Sequence, residues 1–326
     1  MTLFARIAAG CAVIASLCAG LSPASADTAY PTRPVRVIVP FGPGGIADIT
    51  ARVVAEKLSE KLGQQFIIDN QPGAGGITAA RAALGGGKDG YTLILLTNGT
   101  AISVPLFKKL PFDPVKDFAP VSMLGQFDFL FVTGGASKHK SVQELIAFAK
   151  ANKGALNLGT VNVGSSQNLS AELFKSMAGV DLTIVPYKTT PDLMIAATRG
   201  DVDVAIDSLA AAKAMMADGK LRAMATSGLT RSPATPDIVT VDESGLKGFE
   251  VTSWNAIFAP AGTPPEVIAT LNKAIVEVVA LPEVQKKLLD LGIEAKASTP
   301  AELEDRLKAD IAKWTAVIDT AGIQKQ

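Results

Sequence analysis

The sequence predicts an α/β protein made of two βα-rich halves. Short apolar runs rich in β-branched residues alternate with helical patterns, and glycine-rich turns follow several of these runs. The chain has 326 residues, a length at which a protein usually divides into two hydrophobic cores. Because a parallel strand pair needs a crossover connection, usually a helix, this alternation also predicts mostly parallel sheets.

The first half begins with a buried strand, Val35–Val39, and a helix, Ile46–Leu62. Apolar residues recur near one face of that helix, and Gly63 follows its last turn as helix-ending glycines do. A second strand, Phe66–Asp69, precedes a glycine-rich loop and an alanine-rich helix. A third strand, Thr92–Leu96, completes this predicted series.

The second half repeats the pattern. Its predicted strands are Phe129–Val132, Leu156–Leu158, Leu182–Val185, Val202–Ile206 and Leu221–Ala225, with helices near 142–151, 169–177, 193–198 and 209–217 between them. The predicted order of elements is therefore again that of an α/β unit.

The C-terminal section is predicted to be mainly helical, since Pro265, Pro282 and Pro300 each stand where a helix can begin. If this section returns to the first half, two segments cross between the domains, near Phe127–Thr133 and Thr252–Ala261. The predicted first domain then comprises 27–128 and 254–326, and the second comprises 129–253. Two independent domains in series remain the alternative.

The first 26 residues have the pattern of an export signal. Arg6 precedes an apolar stretch, Ile7–Gly20, and Ala24-Ser25-Ala26 forms an A-x-A cleavage site. The stretch is shorter than the ~18 residues of a spanning helix, although a retained anchor is the alternative. We therefore expect cleavage after Ala26 and a periplasmic product.

Composition limits the chemistry of that product. Both cysteines, Cys11 and Cys18, lie in the signal, so the remaining 300 residues would contain no disulfide and no thiol. Losing Arg6 from 31 basic and 31 acidic residues leaves a net charge of −1. This near-neutral charge gives no basic surface of the kind that binds nucleic acid.

The turn Gly42–Ala47 is the most informative motif. It stands between a strand and a helix, so backbone N–H groups and a helix dipole would face one anion. It fits the G-x-G-x-x-A dinucleotide fingerprint, with Asp69 near the position of a ribose-binding acid, but a carboxylate would fit equally well. A purely structural turn is the third interpretation, although similar loops at Asn70–Gly76 and Gly159–Ser166 favour one shared pocket.

An enzymatic function receives little support. His139 is the only histidine, and its charged neighbours predict a solvated surface position. Without a second histidine and without cysteine, His139 is the one poor candidate for the usual Ser-His and Cys-His pairs. Neither a P-loop nor clustered metal ligands are present in the sequence. We therefore predict no catalytic residues, no metal and no cofactor.

Several short motifs follow one another along the mature chain. They are Tyr30-Pro-x-Arg-Pro-Val-Arg-Val-Ile-Val-Pro-Phe41, Gly44-Gly45-x-x-Asp48 with Ala51-Arg52, Asn70-x-Pro-Gly-Ala-Gly-Gly76, Asp89-Gly90-Tyr91-Thr92, Leu110-Pro-Phe-Asp-Pro114 with Asp117-Phe118, Val185-Pro-Tyr-Lys188 and Gly200-Asp-Val-Asp203. In these motifs and their order, the chain resembles the Bug family of extracytoplasmic solute receptors of tripartite tricarboxylate transporters. The resemblance spans essentially the whole mature chain.

This resemblance implies a periplasmic binding protein of the Venus flytrap type, whose two α/β domains close on a small carboxylate in the cleft between them. It also implies delivery to integral membrane transporter subunits by a monomeric receptor. A sensor accessory of a signalling system and an exported dinucleotide-dependent enzyme are the alternatives. The ligand-binding positions that it implies are Phe41, Gly44, Gly45, Asp48, Thr97, Asn98, Thr160, Gly164, Ser165, Ser166, Asn168, Tyr187 and Asp207.

The departures from the family pattern lie in the second domain. The family often has serine at Thr160, glycine near Asn162, histidine at Asn168 and glycine at Thr189. These four departures affect the expected contacts with the distal end of the ligand more than the contacts with its carboxylate.

Overall fold

The computed structural model describes residues 30–326, so the predicted signal lies outside the described residues. The first part of the chain contains β1 (Val35–Val39), α1 (Ile46–Leu62), β2 (Phe66–Asn70), α2 (Ile77–Leu84), β3 (Thr92–Thr97), α3 (Asn98–Leu106) and β4 (Phe118–Asp128). The middle part contains β5 (Leu130–Gly134), α4 (Val142–Ala151), β6 (Asn157–Val161), α5 (Ser166–Ala178), β7 (Thr183–Tyr187), α6 (Thr190–Arg199), β8 (Val204–Asp207), α7 (Leu209–Ala217) and β9 (Leu221–Thr226). The last part contains β10 (Thr252–Pro260), α8 (Pro265–Val279), α9 (Pro282–Leu289), β11 (Glu294–Ala295) and α10 (Pro300–Ala321).

These elements form two sheets with helices packed on them, which confirms the predicted α/β class. The first sheet has the order β11-β4-β10-β3-β1-β2, and the second has the order β7-β6-β8-β5-β9. The prediction of mostly parallel strands is wrong. Among the described strands, only β3-β1-β2 and β7-β6-β8 pair in parallel, and the pairings of β4, β10, β11, β5 and β9 are antiparallel.

The antiparallel strands arise where the chain passes between the sheets. The chain leaves the first sheet at Asp128, enters the second at Leu130, and returns to the first through β10. At the first passage, the rings of Phe127 and Phe129 meet edge to face with centroids 5.4 Å apart. On its return, β10 lies between β3 and β4 and runs antiparallel to both.

The C-terminal helix is fixed to the first sheet by two buried tryptophans. Trp314 of α10 donates from Nε1 to Asn98 Oδ1 at 2.8 Å. Trp254 of β10 donates from Nε1 to Asp310 Oδ2 at 2.6 Å. Both indoles bury a large apolar surface and still satisfy their single donor, as buried tryptophans usually must.

Local signals predict some elements to the residue and miss others. The bounds of β1 and α1 agree with the prediction, and Gly63 ends α1 with φ at 69°. Two elements were not predicted from the sequence. They are α3, which contains the helix-disfavouring residues Gly99 and Pro105, and β4, which contains the strand-disfavouring residues Pro120 and Gly125.

The prediction of a solvated His139 is wrong. The residue is only 5% exposed, and its ring packs against that of Phe148 with centroids 4.7 Å apart. The lysines on either side of His139 suggested a solvent-exposed position, but the aromatic ring of Phe148 in α4 covers the imidazole.

Within residues 30–326, no helix combines the length and the apolar character that crossing a membrane requires.

Candidate functional site

A cavity of about 450 Å³, including the solvent space at its mouth, lies at the carboxyl ends of strands from both sheets. Ligands of open α/β sheets bind at this edge of the strands. Its apolar lining consists of Phe41, Ile46, Ala47, Phe127, Phe129 and Val161. Its remaining lining consists of Gly42, Gly45, Thr97, Asn162, Ser166, Gln167, Lys188, Thr189, Thr190, Ser253 and Asn255.

Four helices present their N-termini to this cavity. The N-caps of α1, α3 and α6 are Gly45, Thr97 and Thr189, and all three line it. The N-cap of α5 is Ser165, and the next residue, Ser166, lines the cavity. Each N-terminus carries a partial positive charge, so together they favour an anion in the cavity. A side-chain cap pairs one first-turn N–H group in each of α3, α5 and α6.

The loop before α1 leaves its first-turn N–H groups free of a side-chain cap. Gly45 is the N-cap and makes no capping bond. Asp48 instead accepts from the Gly44 N–H at 3.0 Å, from Arg52 at 3.0 Å and from Asn70 at 2.9 Å. Burial alone would raise the pKa of Asp48, but these hydrogen bonds hold it below its ordinary value. The carboxylate therefore shapes the loop and does not line the cavity.

The loop before α5 has a similar internal support. Asn168 Oδ1 accepts from the Gly164 N–H at 3.3 Å, and its Nδ2 donates to Thr160 Oγ1 at 3.3 Å. Ser165 caps the helix by accepting from the Asn168 N–H at 3.1 Å. A smaller cavity of about 270 Å³ next to this loop is lined by Gly164, Ser165, Phe41 and Thr97, among others.

The N-terminus of α6 rests on a buried acid. Thr190 donates from Oγ1 to Asp207 Oδ2 at 2.9 Å, and the Ser208 N–H donates to Asp207 Oδ1 at 2.7 Å. Burial raises the pKa of Asp207, and the hydrogen bonds from Ser208, Thr190 and Gln167 only partly offset that effect. Asp207 thus lies behind two cavity-lining residues, Thr190 and Gln167.

Loops of the two sheets touch across the cavity. A Cβ at Gly42 would lie 3.1 Å from Thr189 Cγ2, and one at Gly45 would lie 3.2 Å from Thr190 Oγ1. Ser166 Oγ and Ser253 Oγ are 3.2 Å apart. A side chain at either glycine would crowd these threonines, so the cavity is narrow where the two loops meet.

The sequence-predicted positions fall into two groups. Phe41, Gly45, Thr97, Gly164, Ser165 and Ser166 line one or both cavities. The other group, outside both linings, comprises Gly44, Asp48, Asn98, Thr160, Asn168, Tyr187 and Asp207. In that group Asn98 bonds to Trp314, and the Tyr187 carbonyl accepts from the Asn162 N–H at 3.0 Å.

Five further lining residues lie in the two loops that the sequence places at the pocket, and they are Gly42, Ile46, Ala47, Val161 and Asn162. The lining residues that were not predicted are Phe127, Phe129, Gln167, Lys188, Thr189, Thr190, Ser253 and Asn255. Thr189 directly before Thr190-Pro191 is a recognisable helix start. Ser253 and Asn255 alternate with Trp254 and Ala256 in a buried strand, so their shared polar face was a second available signal.

The charges at the cavity also suit an anion. Among the described residues that line it, Lys188 is the only charged side chain, and none is acidic. Lys188 is exposed at the rim, where its ammonium group can attract a carboxylate without the cost of burial.

Two α/β units around a cleft lined by strand ends and helix N-termini define the class of periplasmic binding proteins. The chain belongs to the tripartite tricarboxylate transporter family receptors, whose family model matches residues 50–323.

It is 34% identical to protein BugT of Bordetella pertussis (strain Tohama I), over 92% of this chain and 93% of that protein. Among solved structures, it is similar to the R. palustris protein Rpa4515 with adipate, with 35% identity and a TM-score of 0.87 over 90% of this chain and 99% of that one. It is also similar to the periplasmic binding protein BugD, with 31% identity and a TM-score of 0.87 over 91% of this chain and 100% of that one.

Proposed function

We propose that this receptor binds a small organic carboxylate in the 450 Å³ cavity and delivers it to the integral membrane subunits of a tripartite tricarboxylate transporter. The observation that carries the proposal is the convergence of four helix N-termini on a cavity without an acidic lining residue. A partly buried helix N-terminus stabilises an anion by up to ~2 kcal/mol. Four of them can therefore hold a carboxylate without an arginine.

The proposed ligand contacts are of two kinds. The N–H groups at Gly45–Ala47 and at Ser166–Gln167 bind carboxylate oxygens, and the rim ammonium of Lys188 attracts them. The apolar side chains of Phe41, Phe127 and Phe129 contact the carbon skeleton. Asp48, Asn168 and Asp207 act behind these residues by positioning the loops. Adipate in the related R. palustris protein is consistent with a ligand of this class.

We further propose that the domains divide as 27–128 with 254–326, and 129–253, and that ligand binding favours their closed arrangement. A ligand that contacts both domains only when they are closed shifts the population toward that form. The receptor would act as a periplasmic monomer after cleavage following Ala26.

The test is direct. Protein purified after export from cells should release a small carboxylic acid in native mass spectrometry. In a thermal-shift screen of linear and aromatic carboxylates, at least one compound should raise the melting temperature of the protein. Stabilisation by NAD and by no carboxylate would overturn the proposal in favour of a dinucleotide site. Intact mass would report the cleavage position.

A further inference from the structure

Asn255 occupies a distinctive place in the cavity lining. It lies in β10 opposite Thr97 of β3, and its side chain is only 1% exposed. Its Nδ2 donates to Thr50 Oγ1 at 3.0 Å. It therefore lies beside the second turn of α1, in the lining of the cavity that also includes Gly45, Ile46 and Ala47 at the start of that helix.

The hydrogen bonds of Thr50 fix which way the Asn255 amide points. Thr50 Oγ1 donates its single proton to the Ile46 carbonyl at 2.6 Å. A hydroxyl has one proton to donate, so toward Asn255 it can only accept. The amide must therefore turn its NH₂ group to Thr50 and its oxygen away.

That oxygen has no hydrogen-bond partner within residues 30–326. Asn255 Oδ1 is fully buried and accepts from none of the described side chains or backbone groups. Buried polar atoms normally have a partner, and a carboxamide oxygen can only accept. The missing partner must be a donor, and a carboxylate oxygen would be repelled at this point.

We propose that Asn255 Oδ1 accepts a hydrogen bond from the ligand, and that the receptor selects carboxylates carrying a hydroxyl or amino group near the bound carboxylate. This inference rests on the proposed carboxylate site. A site built to bond a hydroxyl or amine rejects the analogue that lacks it, because its own buried group then loses its partner.

The proposed selectivity can be tested on the wild-type protein with carboxylates that differ only in a hydroxyl or amino group. Calorimetry would compare succinate with malate and aspartate, glutarate with 2-hydroxyglutarate and glutamate, and phenylacetate with mandelate. In at least one series the hydroxy or amino acid should bind about tenfold or more tightly than its parent. Equal affinities within every series that binds would overturn the role of Asn255 and leave the carboxylate receptor intact. No binding in any series would count against both proposals.

Two variants locate the effect. Asn255→Leu keeps the side-chain size and removes the acceptor, so the preferred probe should weaken about tenfold while its parent acid changes less than threefold. Thr50→Val removes the group that orients the amide without touching the ligand, and it should reduce the same preference. If Asn255→Leu does not fold, Thr50→Val and the wild-type series decide. A preference that survives both changes would show that another group recognises the donor.

Discussion

Thr190 donates its hydroxyl proton to the buried carboxyl group of Asp207 at 2.9 Å. Asp207 itself does not line the cavity, yet it accepts from Thr190 and from the Ser208 N–H, and it positions the first turn of α6. The ligand contact predicted for Asp207 stays a prediction, and we propose instead that Asp207 positions Thr190, which contacts the ligand.

Asp207→Ala should lower both stability and affinity. The change leaves Ser208 N–H and the Thr190 hydroxyl without an acceptor, so we expect a loss of about 2–4 kcal/mol in urea unfolding. Carboxylate affinity should fall because the hydrogen bond from Thr190 no longer fixes the first turn of α6. Asp203→Ala is the matched control, since Asp203 accepts one backbone N–H, that of Asn157, away from the cavity. Equal effects of the two changes on affinity would contradict this role.

Gly45→Ala should weaken ligand binding by blocking closure. Gly45 has φ at −85°, which alanine adopts without strain, but the new Cβ would lie 3.2 Å from Thr190 Oγ1. We expect at least a tenfold loss of affinity in calorimetry, with little change in the melting temperature of the ligand-free protein. Gly85→Ala is the control, because its φ is −77° and its Cβ would only touch Arg81 O at 3.4 Å. Normal affinity of Gly45→Ala would show that the loops need not meet this closely.

Asp128→Asn should change how stability depends on pH. Burial first, and then the negative charges of Glu250 and Glu294, raise the pKa of Asp128 to about 6. Between about pH 4 and pH 6 the folded protein therefore binds more protons at this site than the unfolded chain does. The free energy of unfolding consequently falls as pH rises through that window, by up to about 3 kcal/mol.

The asparagine variant has no buried carboxylate to ionise, so it avoids this loss of stability. Its amide oxygen can still accept from the Thr252 hydroxyl, which donates to Asp128 at 3.0 Å in the wild type. Urea unfolding should find the variant more stable than the wild type above pH 6 and equal to it near pH 4. A constant difference across this range would contradict the raised pKa.

Lys188→Gln should reduce affinity modestly and in a salt-dependent way. Lys188 is exposed at the rim, so its attraction to a carboxylate is largely screened and amounts to about 0.5–1 kcal/mol, or two- to fivefold. Calorimetry in low and high salt should find the deficit shrinking as salt increases. Lys153→Gln removes an exposed charge away from the cavity lining and should have no effect. A deficit independent of salt would indicate a direct hydrogen bond instead.

Helices and turns that depend on neighbouring residues could be predicted from the sequence. The apolar periodicity and the terminal Gly63 predicted α1. The glycine-rich turns after β1 and β6 predicted the two loops that line the cavities. Asn255 could not be placed in this way, because only the antiparallel pairing of β10 with Thr97 brings it to the site. The burial of His139 likewise depends on packing against Phe148.

Trp314→Phe should lower stability and leave ligand affinity almost unchanged. The change keeps most of the buried aromatic surface but removes the donor to Asn98 Oδ1, so a buried acceptor loses its partner. We expect a loss of about 1–3 kcal/mol in urea unfolding. Asn98 was predicted to bind ligand, yet in the structure it holds α10 and lies outside both cavity linings. Asn98→Ala should therefore have the same effects as Trp314→Phe, and the double variant should be less destabilised than the sum of the two. A specific loss of affinity in Asn98→Ala, at unchanged stability, would support the predicted contact between Asn98 and the ligand.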